Sequence, residues 1–381
     1  MAEYLTNTTD LTAVANAIRE KGGTSEQLAC PDGFVAAIQA IQTGGPLQIA
    51  VTTNAGATVT ATKGSKTVSG TADASGHCTL TVDEAGTWTV TAATASTTKT
   101  SDVVVGISNV DLLPLVDSVL NNNSWETIKK ASDAGQGANY WSIGDRKAVT
   151  LNGTVGHLSL SNYTTYAFII GFNHNQELEG TNRIHFQLAK TALSGGTDVC
   201  FCDSKYSPDN GWSSPGLGYF VMNATGKNSG GWKSSHMRTN ICGTSLSSYA
   251  GTIIAVIPET LRSVLKSVTK YTDNVGNGSG SVESNITATT DYFFLLSEFE
   301  VFGSISKANS NESSKQVQYA YYSAGNNKIK YKHNSTSTAA YWWLRSPYAT
   351  NSDYFVSGYP DGTDSYAIVY YSLGFAPGFC V

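Results

Sequence analysis

Hydrophobic and polar positions alternate in three successive rhythms along the chain. In residues 1–45 apolar residues recur at helical spacing: Leu11, Val14, Ala15 and Ile18 fall on one stripe that Asp10 can cap and Gly22-Gly23 can stop. A second stripe of Phe34, Ala37, Ile38 and Ile41 follows Pro31, whose fixed φ suits a first helical turn, and it ends at Gly44-Gly45-Pro46. Two helices this short bury too little apolar surface to stand alone, which predicts a segment that attaches or oligomerises.

Between residues 46 and 107 the period changes to two. Ile49-Ala-Val-Thr, Ala57-Thr-Val-Thr-Ala-Thr, Cys78-Thr-Leu-Thr-Val, Thr87-Trp-Thr-Val-Thr and Asp102-Val-Val-Val alternate β-branched with polar residues. Asn54-Ala-Gly56, Lys63-Gly64, Asp73-Ala-Ser-Gly76 and Glu84-Ala-Gly86 supply the turns between them. The pattern predicts a small all-β sandwich with Trp88 in its core, and it resembles the immunoglobulin-like spacer modules of bacterial surface and phage tail proteins.

From 108 to 381 the rhythms mix. One helix is predicted from Ser124, with Trp125, Ile128 and Ala131 on its buried side, and another from Pro258 through Leu261, Val264, Leu265 and Val268. Strand-like runs fall at Ala148–Leu151, Tyr166–Ile170, Ile184–Leu188, Tyr292–Leu296 and Glu300–Phe302. Gly/Ser/Asn-rich connections at 194–198, 204–218, 273–284 and 303–316 join them, a layout of α+β folds with elaborate loops.

Composition narrows what such a molecule can do. Only 14% of the 381 residues are charged, while Gly (37) and Tyr (20) are abundant, a mix that favours short strands and turns. The net charge of −5 comes without a basic tail or block, which disfavours a nucleic-acid partner. No run of about 18 apolar residues suggests membrane insertion, and Met1-Ala2-Glu3-Tyr4-Leu5 lacks the features of a secretory signal, so assembly inside the producing cell is expected.

Candidate chemistry is sparse. Cys30, Cys78, Cys200, Cys202, Cys242 and Cys380 lie far apart, unlike a disulfide framework, and Cys200-Phe-Cys202 lacks zinc-site spacing, its thiols sharing one face of a strand. The six His (His77, His157, His174, His185, His236 and His333) form no H-E-x-x-H, and Gly276-Asn-Gly-Ser-Gly280 lacks the lysine of a phosphate loop. Glu298 and Glu300, two apart on a predicted strand with Asp145 as a third candidate, can form a carboxylate pair. The structural reading weighs more: a buried Arg345 or Arg238 needs a carboxylate partner, and Glu298 is the preferred one. No acidic cluster outside the C-terminal window suits calcium, so neither a metal nor a cofactor is expected.

Ala340-Tyr-Trp-Trp-Leu-Arg-Ser-Pro347 and Gly374-Phe-Ala-Pro-Gly-Phe-Cys-Val381 carry a more specific signal. With Ile143-Gly-Asp145, Gly171-Phe-Asn-His174, Gly230-Gly-Trp232, Met237-Arg238 and Leu295-Leu-Ser-Glu298, they resemble a family of C-type-lectin-like domains found in bacterial and phage genomes. That family is marked by W-W-L-R-S-P and a terminal G-V-x-P-x-F. Phe375 stands where the family usually has Val and Ala376 where relatives often have Arg, which puts the packing of the last strand in question. The domain is also similar to the variable proteins of diversity-generating retroelements, phage tropism proteins among them, in which adenine-directed mutation rewrites a C-terminal window. Such mutation of Asn-type codons yields Tyr, Ser, Asp, Gly and others, but never Lys, Glu, Gln, Met or Trp. The window Pro347–Leu373 holds six Tyr, four Ser and three Asp and no Lys, Arg, Glu, Gln, Met or Trp.

Large amphipathic rings with few torsions, set among small hydrogen-bonding residues, are also the composition of antibody paratopes. Tyr348, Asn351, Asp353, Tyr354, Ser357, Tyr359, Asp361, Asp364, Tyr366, Tyr370 and Tyr371 are therefore the expected ligand contacts, within a variable region of about 341–381. Trp342, Trp343, Arg345, Trp232, Arg238, Glu298 and Phe379 are expected to be structural anchors of the frame.

The expected molecule thus has short N-terminal α-helices, an all-β immunoglobulin-like sandwich and a C-terminal α+β C-type-lectin-like domain. What the resemblance implies is a non-enzymatic phage or prophage tail protein, carried on the virion as a homotrimer, that joins other tail proteins and binds a host cell-surface protein or glycan. Two alternatives stay open: a bacterial surface adhesin, and an enzyme like the formylglycine-generating enzymes of the same superfamily. The latter chemistry needs a reactive cysteine pair, which Cys242 and Cys380, isolated in sequence, do not suggest.

Overall fold

The computed structural model describes residues 47–105, 110–111 and 115–381, with Thr12 and Asn16. The predicted helical stripes of 10–23 and 31–44, and Cys30, otherwise lie outside the described residues. The chain divides into two compact units, Met1–Leu115 and Val116–Val381, each strand-rich.

In the first unit β1 (Leu47–Thr52) pairs antiparallel with β4 (His77–Val82) and parallel with β7 (Val110–Asp111). A second sheet runs β3 (Lys66–Thr71), β2 (Thr58–Lys63), β5 (Gly86–Ala93), β6 (Thr98–Val105). Alternation sets the faces: Cys78, Leu80 and Val82 of β4 point inward while His77, Thr79 and Thr81 face water. The two sheets share one core of Ile49, Val51, Val59, Leu80, Trp88, Val90 and Val103, where the Trp88 indole donates to the Glu84 carbonyl at 3.1 Å. Gly76 closes a turn at φ 81°, where a Cβ would lie 2.2 Å from the Thr53 carbonyl oxygen.

The second unit is built on an antiparallel five-stranded sheet in the order β14 (Phe293–Phe294), β20 (Gly378–Cys380), β10 (Ile184–Lys190), β9 (Leu158–Phe172), β8 (Arg146–Val155). Helix α1 (Trp125–Asp133) starts where Ser124 accepts a hydrogen bond from the Thr127 N–H, and it buries Trp125, Ile128 and Ala131. Trp125 meets the rings of Phe186 and Phe379 at 5.6 and 6.1 Å, which ties the helix to the last strand. Smaller sheets complete the unit: β11 (Val199–Cys200), β15 (Lys330–Lys332) and β16 (Ser335–Ala340); the hairpin β12 (Val268–Asp273) and β13 (Ile286–Asp291); and β17 (Trp342–Pro347), β18 (Tyr354–Gly358) and β19 (Asp364–Ile368). No described helix is long and apolar enough to cross a membrane.

Three predicted elements differ from the fold. The helix expected over Pro258–Val268 is a single turn, Glu259–Arg262, because the Lys266 N–H leaves the helical path to bond the Cys380 carbonyl and Val268 opens β12. Glu300–Phe302 is not a strand but the end of helix α2 (Glu298–Phe302). Ser297 and Glu300 cap it reciprocally, and Gly303 ends it at φ 72°. Of the run Tyr292–Leu296 only Phe293 and Phe294 enter a sheet, against β20.

Candidate ligand-binding face

Strand β17 holds the frame. Neither Trp342 nor Trp343 is exposed; the Trp343 indole donates to the Phe220 carbonyl at 2.8 Å, while Trp342 lies beneath Gly358 of β18. Arg345 is equally buried, and its partner is Glu300 rather than the expected Glu298. Its guanidinium engages both oxygens of Glu300 and donates to the Thr272 hydroxyl (2.8 Å) and the Leu295 carbonyl (2.9 Å), so four of its five N–H groups are used. Capping by Ser297 turns Glu300 inward toward it, a geometry that a strand at these residues could not produce.

A second buried cation, Lys270, bridges Glu300 at 3.0 Å and Glu179 at 2.7 Å and bonds the Tyr319 hydroxyl at 2.7 Å. Burial raises the Glu300 carboxyl, but Arg345 and Lys270 override it and hold the group well below its usual range. Glu179, with less compensation, is pushed by burial up to about 7. His174, Glu179 and Glu300 bring possible metal-ligand atoms within 4.8 Å of one another. The carboxylates of that set are already matched by Lys270 and Arg345, which supply the positive charge an ion would bring.

Other anchors steady the surroundings. Trp232 and Arg238 both bond Asp291, at 3.1 and 2.6 Å. Phe379 packs against Phe186 and Phe293, each 5.3 Å away. Glu298 accepts backbone N–H groups from Ser306, Lys307 and Ala308 at 2.7 to 3.1 Å, fixing the loop whose Lys307 pairs with Asp364 of β19. Asp145 joins no carboxylate pair among the described residues; it accepts the Ser142 N–H at 2.8 Å. Cys200 and Cys202 do share a face, their sulfurs 3.9 Å apart, and Cys242 and Cys380 are free, buried thiols pushed up by desolvation.

Over this frame lies a surface of aromatic rings. Tyr354 and Tyr366 are diagonal neighbours across β18 and β19, their ring centroids 5.0 Å apart, and Tyr348 completes a triad at 6.1 and 4.9 Å. Tyr359 stands against Tyr341 at 4.8 Å, and Tyr370 against Tyr371 at 5.2 Å. Tyr359 and Tyr366 are exposed; Tyr348, Tyr354, Tyr370 and Tyr371 are half-buried. Among the acids, Asp353 pairs with Lys227 at 2.7 Å, Asp364 with Lys307 at 3.2 Å, and exposed Asp361 accepts from Thr363. Asn351 shapes the turn by accepting the Asp353 N–H at 2.8 Å.

Ser357 is a correction to the expected contacts. It sits in the central strand β18, opposite Trp343 and Ser365, fully buried, with no partner for its hydroxyl. The structure also adds two residues that lie outside the composition window, Trp212 and Tyr341. Trp212 belongs to the 204–218 connection and lies 5.2 Å from both Tyr341 and Tyr371. A large aromatic residue within a Gly/Ser-rich loop is the signal the sequence offers for it.

Residues 219–381 match a family described as a domain of unknown function, DUF6273. The match takes in β17 to β20, Trp232, Arg238, Glu298, Glu300 and Arg345, and leaves out Trp212 and Glu179. No curated protein matches the chain.

Proposed function

We propose that this chain is a receptor-binding protein and that the tyrosine face over β17–β19 is its ligand surface. The observation that carries the reading is the contrast within a few residues of chain. Arg345, Trp342 and Trp343 are locked with no exposure, while Tyr348, Tyr354 and Tyr366 spread an aromatic patch outward on the adjoining strands and turn. A rigid frame under a tyrosine surface presents contact area at small ordering cost, as paratopes do. The surface offers complementarity without a group placed for bond making.

The W-W-L-R-S-P and G-F-A-P-G-F resemblance supplies the biological setting. In it the second unit is a C-type-lectin-like domain whose window, Pro347–Leu373, is diversified by a retroelement. The first unit carries an immunoglobulin-like spacer, and the N-terminal segment joins other phage tail proteins in a homotrimer on the virion. Multivalent display then multiplies weak single contacts with a host protein or glycan.

The full chain should bind cells of one bacterial strain and not of its close relatives, and Tyr354→Ala with Tyr366→Ala should abolish that binding while circular dichroism stays unchanged. Undiminished binding by the folded double variant would reject the face. Neighbouring DNA carrying a reverse transcriptase and a near-repeat of the 347–381 codons differing at adenines would support diversification.

A further inference from the structure

At one end of the face the rings form a corner with a charge beside it. Trp212 is 39% exposed, and its indole meets Tyr341 at 5.2 Å and 79° and Tyr371 at 5.2 Å and 54°. Tyr341 meets Tyr359 at 4.8 Å, again near perpendicular. In an edge-to-face pair one ring keeps both π-faces open and the other keeps one, and open π-faces carry the partial negative charge that attracts cations. The corner is also stiff. The Trp212 N–H bonds the Ser207 carbonyl at 2.7 Å, the Ser207 N–H bonds the Ser372 carbonyl at 2.7 Å, and the Tyr206 hydroxyl accepts the Tyr341 N–H at 2.8 Å.

The charge pattern around it is uneven. Asp353, Asp364 and Asp209 each have a lysine, Lys227, Lys307 and Lys332 respectively. Asp361 has none among the described residues. The Thr363 N–H and hydroxyl both bond its Oδ1, at 2.9 and 2.6 Å, and no donor among the described residues reaches Oδ2. Asp361 stands in the turn that follows the Tyr359 ring, closed by the Tyr359 N–H on the Thr363 carbonyl at 2.8 Å and the Gly362 N–H on the Tyr359 carbonyl at 2.9 Å. The Tyr341 hydroxyl is pushed up to about 12 by burial, by the Tyr359 hydroxyl and by the Asp361 carboxylate.

We propose that this corner is an anchor subsite for an arginine side chain of a protein ligand, its guanidinium stacked on the exposed rings and donating to Asp361 Oδ2. The proposal rests on the tyrosine face being the ligand surface and names the chemistry of its strongest contact. A planar guanidinium suits the site better than an ammonium because it is more weakly hydrated, stacks on aromatic faces and offers forked donors to a carboxylate. A neutral sugar would stack on the rings but leave the Asp361 charge unanswered. An open corner covers only part of any ligand, so the rest of the affinity comes from the neighbouring Tyr348, Tyr354 and Tyr366, which fits an extended protein surface. Trp212 and Tyr341 stand outside the Pro347–Leu373 window, whereas Tyr359, Asp361 and Tyr371 lie within it. Trp212 is therefore independent of that window, while Tyr359, Tyr371 and the cation preference that Asp361 sets belong to this particular one.

The test titrates the full chain with Nα-acetyl-arginine methylamide and, separately, with its citrulline counterpart, a neutral compound of the same shape. Tryptophan fluorescence is read in wild type, Trp212→Phe and Asp361→Asn. The arginine probe should give a saturable change in wild type that is absent in Trp212→Phe. Binding should weaken about five-fold or more in Asp361→Asn, in about 0.5 M salt, and on exchange of arginine for citrulline. An equal response to citrulline, full binding by Asp361→Asn, or no saturable change overturns the subsite. If the arginine probe fails while Tyr354→Ala with Tyr366→Ala still abolishes cell binding, the cation subsite falls and the ligand face stands. If that double variant binds cells normally, the face itself falls.

Discussion

Arg345 and Glu300 form a two-point ion pair in which neither side chain is exposed, and Lys270 draws the same carboxylate from a second strand. The pair joins β17, which carries the aromatic face, to α2 and to β12. Glu300→Gln leaves two buried cations short of one anion, and breaking such a pair from one side costs about 3–5 kcal/mol. The second unit should melt about 10 °C lower by calorimetry, taking roughly 2–4 °C per kcal/mol for a unit of this size. A change below about 2 °C would mean that the pair does not hold the frame.

Ser357→Ala is expected to keep or raise stability, by up to about 1 kcal/mol, because it removes a buried hydroxyl without a partner. Tyr366→Ala, on the exposed face, should cost about 0.5–1 kcal/mol through its lost ring contacts. Urea denaturation of both variants checks the order. A larger loss from Ser357→Ala than from Tyr366→Ala would reverse the assignment of inner and outer faces.

Gly358→Ala is expected to be among the most damaging single-methyl changes in β18. Its Cβ would lie 2.1 Å from Trp342 Nε1, and that indole is fully buried. Overpacking of this kind costs about 1–3 kcal/mol and displaces β18, so Gly358→Ala should lower both the melting temperature and binding through the Tyr354 face. Unchanged melting would show that Trp342 can repack.

Much of the frame is legible in the sequence, and the reasons for the exceptions are physical. Ser124 with Trp125, Ile128 and Ala131 reads as a capped amphipathic helix because all the determinants are local. The same holds for the alternation of β4. Glu300 reads as strand through its apolar neighbours, although Ser297 and Glu300 three residues apart spell a capping box. Partner choice is a tertiary matter: whether Arg345 meets Glu298 or Glu300 depends on which way α2 turns. The face is legible only where its residues are contiguous. Trp212 reaches it through a loop tied to Ser372, a contact no local pattern encodes.

Glu312 gives the frame a pH signature. Its carboxylate is buried, accepts the Asp273 N–H at 3.0 Å and the Ser346 hydroxyl at 2.7 Å, and desolvation pushes it up to about 7 from an ordinary 4.5. Between pH 4.5 and 7 the folded chain therefore holds a proton that the unfolded chain has released, so this group's contribution is fully present below pH 4.5 and is lost as pH rises toward 7. Glu179, also pushed up to about 7 by burial, acts in the same sense over this window, and His174, held down to about 3 by burial and Lys270, acts in the opposite sense below pH 6.5, so absolute stability mixes several groups. The difference between wild type and Glu312→Gln isolates Glu312, since the amide does not titrate and Glu179 and His174 are common to both. Measured by urea denaturation from pH 4.5 to 7.5, wild-type stability relative to Glu312→Gln should fall by up to on the order of 3 kcal/mol, because holding a proton one pH unit beyond its ordinary release point is worth about 1.4 kcal/mol. A flat difference across that range would mean that Glu312 is ionised in the folded chain, with Arg345 shared between it and Glu300.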